Sequence, residues 1–133
     1  MRHRGTFTSW WDTPEWRAKN VEVNRLLPRE FPELADEYER EVVSTGSEDD
    51  GPMVVYSLVF HPFLKHAVLT EPTDSPLLER IFAFLKMLED HPDSRYSEVA
   101  TVEVAEFLEH EPEILKPAYS RLGPKVRAVI EEP

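Results

Sequence analysis

Apolar residues recur along this chain at helical rather than alternating spacing, and proline, glycine and short polar clusters punctuate them. Asp12-Thr13-Pro14-Glu15 reads as a helix start. It holds a capping side chain, a proline whose missing N–H costs nothing there, and an acid beside the positive helix end. The helix is expected to run from about Pro14 to Leu27 and to stop at Pro28. A second is expected over Pro32 to Val43, with Leu34, Ala35, Tyr38 and Val42 on one face and Glu33, Asp36, Glu37 and Glu41 mainly away from it. Residues 44–52 form a loop.

Val54-Val55-Tyr56-Ser57-Leu58-Val59-Phe60 has strand-like content. No second run of similar quality exists to pair with it, and an isolated strand would leave its backbone unpaired. The stretch is therefore read as a buried helix, a turn at His61-Pro62, and a short helix to about Leu69. Ser75 and Pro76 open a helix to about Asp90 whose apolar face is broad: Leu77, Leu78, Ile81, Phe82, Phe84, Leu85 and Leu88. Further helices are expected over about Arg95–Glu109, with Ala100, Val104, Phe107 and Leu108 inward, and from Pro112. Gly123 is placed as a helix C′ residue before a last short helix from Pro124. The fold class is all-α, a helical bundle whose C-terminal half consists of HEAT-like antiparallel hairpins, about 76–109 and 112–132. The two hairpins share too few residues to form a sequence repeat.

At 133 residues the chain fits one domain, 1–133, with 1–13 as a loosely ordered N-terminal segment. Its length supports a core without staples, and it has no cysteine. Thiol nucleophiles, disulfides and cysteine-ligated metals are thereby excluded. Net charge is −11, from 26 acidic and 15 basic side chains. The excess sits in two blocks: residues 21–50 carry ten acidic and three basic side chains, and residues 77–111 carry nine and three. Both blocks contain spaced apolar anchors, as folded helices with acidic outer faces do. Such a surface repels phosphate backbones, so nucleic-acid binding is not expected. No run approaches the roughly 20 apolar residues that span a bilayer, and no secretion signal is apparent at Met1–Ser9. The expected setting is the cytoplasm, without membrane contact.

Candidate chemistry is sparse. His3, His61, His66, His91 and His110 show no metal-ligand spacing, and His61 and His66 would point about 140° apart on one helix. They are read as surface or helix-end histidines. No phosphate-cradling loop, nucleophile elbow or dinucleotide motif occurs. The many carboxylates are read as solvated faces, so no enzyme activity, cofactor or metal is expected. A small enzyme using His61 or His66 beside a carboxylate is the least favoured alternative.

The acidic helices carry more information. On the helix from Arg95, Glu98, Glu103, Glu106 and Glu109 fall on one side, with Val99 and Val102 among them. Like charges three and four apart weaken an isolated helix. Solubility alone can account for that cost. A docking surface can as well, with valine supplying dry contact and glutamate supplying steering. The candidate partner-binding residues are Glu98, Val102, Glu103, Glu106 and Glu109, together with Asp36 and Glu37. Trp10, Trp11 and Trp16 are read as covering the core, with an exposed hot spot as the alternative.

Four segments carry a resemblance: Phe31-Pro32-Glu33-Leu34-Ala35-Asp36-Glu37-Tyr38-Glu39, Leu78-Glu79-Arg80-Ile81-Phe82-Ala83-Phe84-Leu85, Val104-Ala105-Glu106-Phe107-Leu108-Glu109 and Leu122-Gly123-Pro124-Lys125-Val126-Arg127. In order and spacing, over about 31–133, the chain resembles a bacterial family of small all-α immunity proteins associated with polymorphic and contact-dependent inhibition toxins. The resemblance implies a protein that binds a cognate toxin domain one-to-one as a monomer and blocks it. It carries over no catalytic residue. A basic nuclease domain is the partner expected from the charge. A helical adaptor for some other complex is the alternative.

Overall fold

The computed structural model describes residues 13–131. Trp10, Trp11, His3 and the N-terminal segment assigned to 1–13 lie outside the described residues, Thr13 excepted. The described chain is all-α, with no strand among those residues. It divides into two units, Met1–Val55 and Tyr56–Pro133.

In the first unit Thr13 caps the helix Pro14–Asn24, its hydroxyl accepting from the Trp16 N–H at 3.1 Å. The helix breaks at Arg25, earlier than expected, and Pro28 does not end it. Pro28 instead sits in the first turn of a second short helix, Leu26–Glu30, where no N–H is needed. Residues 32–43 then form a helical run as expected, tightened at Pro32–Leu34 and widened to a π turn at Glu39–Val43. Val23, Leu27, Phe31, Leu34, Tyr38, Val42 and Val55 are buried.

Two buried asparagines hold the loop in place. The Asn24 amide donates to the carbonyls of Glu48 (3.0 Å) and Asp50 (2.9 Å), and the Asn20 amide donates to that of Asp49 (3.1 Å). A loop with neither strand nor helix to pair its backbone is ordered by these side chains. Asn24→Ala should cost about 2 kcal/mol, two net hydrogen bonds, and Asn20→Ala about half of that. Urea denaturation would measure both, and equal effects would contradict this ranking.

In the second unit the expected turn at His61-Pro62 does not occur. One helix spans Pro52–Thr70. Pro62 would clash with the Leu58 carbonyl in a regular α-helix, and a π turn over Tyr56–Phe60 opens the backbone there. With the turn gone, this 19-residue helix is long and apolar enough to cross a membrane by length and composition, contrary to expectation. Its inward residues Tyr56, Val59, Phe60, Leu64 and Ala67 are nonetheless buried core. Tyr56 and Phe84 lie edge-on or tilted to Phe60, with ring centroids 5.9 and 5.7 Å away.

Ser75 caps the helix Pro76–Glu89, its hydroxyl oxygen accepting from Leu77 and Leu78 N–H groups. Residues 94–109 follow as one helical run and pack back on it as the first hairpin. Of the remaining helices, Pro112–Ala118 packs on His61–Thr70 and Ala105–Glu109, and Pro124–Glu131 packs on Val99–Glu109, rather than chiefly on each other as the expected second hairpin. Gly123 differs from expectation. Among the described residues only Gly46 has positive φ, at 77°, so Gly123 is not a left-handed C′ residue. It is glycine because a Cβ there would collide with the Glu89 carboxylate. Glu89 is 1% exposed and accepts from the Val126 N–H (3.1 Å) and the Lys125 N–H (3.3 Å). A buried carboxylate thus caps the last helix from outside it, in the favourable sense of the helix dipole.

Candidate partner-binding ridge

The helical run 94–109 begins at Asp93, whose carboxylate accepts from the Arg95 N–H at 2.9 Å. Before it, the His91 ring stacks on Tyr96 at 4.0 Å. Its middle, Val99–Val104, is a π turn, and Thr101 donates to the Ser97 carbonyl at 3.1 Å. On a regular helix Val99 and Val102 would share the acidic face. Here the wider turn separates them: Val99 is 1% exposed and Val102 is 48% exposed. Val99 therefore belongs to the core and leaves the ridge.

Glu98, Val102, Glu106 and Glu109 are exposed, and Glu103 is half-buried between them. Burial pushes the Glu103 carboxyl above the ordinary carboxylate range, and the charges of Glu106 and Glu98 push it further. None of Glu98, Glu103, Glu106 and Glu109 joins an ion pair among the described residues. Other acids do find cations: Glu111 meets Lys65 at 3.0 Å, and Asp90 meets Lys86 at 3.5 Å and Lys125 at 3.8 Å. The ridge is thus a concentration of uncompensated negative charge around one exposed valine. Chemically it can attract and neutralise cations.

Asp36 is exposed and Glu37 half-buried on the 32–43 run of the first unit, so they are not part of the ridge's helix.

The histidines differ from expectation at one position. His66 is exposed, and the His110 ring contacts the Glu106 carbonyl at 2.9 Å. His61 is buried instead, its ring stacked on Phe107 at 4.4 Å and 14°. Its Nε2 has no hydrogen-bond partner, and burial pushes the imidazole down to about 4. Among the described residues no group of three or more His, Asp or Glu could hold a metal.

Reading the sequence missed two groups. One is Glu89, whose signal was an acid four residues after Leu85 on an apolar stripe. The other is Arg25–Glu48–Tyr38. The Arg25 guanidinium binds both Glu48 oxygens, at 2.8 and 3.1 Å, and the Tyr38 hydroxyl donates to one of them at 3.0 Å. The Arg25 hydrogen bond is the main reason the Glu48 carboxyl sits below its usual range. Burial, then the hydrogen bond to Glu48, raises Tyr38. Nothing local joins residues 23 positions apart, so spacing alone could not find them.

Residues 24–132 match DUF7674, a domain of unknown function. The chain belongs to that family. No curated protein and no solved structure matches it.

Proposed function

We propose that this protein is an immunity protein that binds a cognate antibacterial toxin domain and blocks it by occlusion. The observation that carries this reading is the unpaired ridge of Glu98, Glu103, Glu106 and Glu109 around exposed Val102. A surface that holds like charges together without counter-ions gains most from a cationic partner. Valine then supplies the dry contact at the centre. A basic nuclease domain is such a partner, and an acidic inhibitor both speeds encounter and fills the groove that would take phosphates. The protein acts as a cytoplasmic monomer in a one-to-one complex, without cofactor, nucleic acid or membrane, and performs no catalysis.

Co-expression with the toxin domain encoded beside its gene tests this reading. Expected are co-purification and protection of the host cell. The paired reversal Glu103→Lys with Glu106→Lys should slow association about tenfold at low salt and flatten its salt dependence. Failure to co-purify together with absence of protection would remove the proposal.

A further inference from the structure

The first unit carries a cleft of about 590 Å³ beside the Arg25–Glu48–Tyr38 group. That volume lies in the range of small-molecule sites, roughly 300–1,000 Å³. Its walls are apolar, formed by Pro28, Ala35, Val43 and the Tyr38 ring. We propose that this cleft is a binding site for a small organic carboxylate with an apolar body.

The polar atoms of the cleft point to that charge. A guanidinium has five N–H donors. Arg25 spends two of them on Glu48 and keeps the rest, while Glu48 is neutralised in return. Arg29 lines the same cleft and joins no ion pair among the described residues, so its planar fork is available for a bidentate carboxylate. The opposing charge is Glu39, exposed and likewise outside any ion pair among those residues. With Arg25 and Glu48 cancelling, Arg29 is the group that would receive an anion, and Glu39 is the group that limits its affinity. Arg40 is engaged with Glu41 at 3.3 Å and does not compete. The apolar walls take the body of the ligand. Tyr38, held by Glu48, fixes one wall before binding, which reduces the ordering cost. This site is independent of the toxin reading and would survive its failure.

The probe is 3-phenylpropionate, followed by amide NMR shifts on the full chain, with 3-phenylpropan-1-ol as its neutral counterpart. Expected are saturable shifts confined to the segments around Arg25–Arg29 and Ala35–Val43. The alcohol should bind about tenfold more weakly, the worth of one charge-assisted pair. Arg29→Gln should weaken the acid by a similar factor and leave the alcohol unchanged. Glu39→Gln should tighten the acid about twofold, the scale of one exposed charge. These opposite signs cannot come from a general loss of structure, and both variants are to be checked for an unchanged melting temperature. No saturable shift at roughly 10 mM acid, a weak-ligand ceiling, overturns the proposal. Equal binding of acid and alcohol does so too, as does a Glu39→Gln variant that binds the acid less tightly.

Discussion

Gly123→Ala should lower the free energy of unfolding by about 3 kcal/mol, read from urea denaturation. A methyl group at this position occupies the space of the Glu89 carboxylate. Ordinarily the far end of a glutamate moves aside cheaply. Here it cannot, because Glu89 is 1% exposed and holds the first N–H groups of the last helix. Displacing it strands those donors and a buried charge together, and each stranded group costs about 1–3 kcal/mol. Glu89→Ala should also destabilise, by removing the cap. In the double variant the new methyl enters emptied space, so the two costs should fall short of their sum by at least about 1 kcal/mol. A Gly123→Ala protein within about 0.5 kcal/mol of the parent, the spread of neutral surface changes, would show that Glu89 is not held as described.

The second large effect is a pH dependence that originates at His61. Its imidazole titrates near 6.5 when exposed and is pushed down to about 4 by burial in the fold. Between these values the unfolded chain binds a proton that the native chain refuses, so stability rises with pH across the window and falls as acid is added. The contribution is complete above pH 6.5 and is lost progressively down to about pH 4. The shift corresponds to at most about 3 kcal/mol. Below the folded value both states are protonated and the slope ends. His61→Phe should keep the stack on Phe107 and remove this dependence. The variant should also gain stability, since the buried Nε2 has no partner to lose. The measurement is the difference in unfolding free energy between parent and variant from pH 7 to pH 4. A difference that stays constant would exclude His61 as the source.

The amphipathic runs were legible because each has a capping residue or proline at its start and a stripe behind it: Thr13 with Pro14, Ser75 with Pro76, Pro112, Pro124. What periodicity hid were the π turns. A 3.6-residue period cannot report an inserted residue, so Val99 was placed outside and a turn was expected at His61-Pro62. The glutamates of the ridge were found because surface charge on a helix depends only on local spacing. Glu89, Asn24 and the Arg25–Glu48 pair were not, because their meaning comes from partners 23 to 37 positions away. Gly123 was recognised as special for the wrong reason. A glycine after a helix reads as a turn device, while its true constraint is a carboxylate from another element.

The wide turn at Val99–Val104 amounts to one extra residue lodged in an otherwise regular rod. The wider turn absorbs that residue, so loss of a single codon there would let the rod return to ordinary pitch with the downstream glutamates facing nearly the same way. Within a lineage, a one-residue indel at this turn would therefore be tolerated without re-aiming the acidic edge downstream of it.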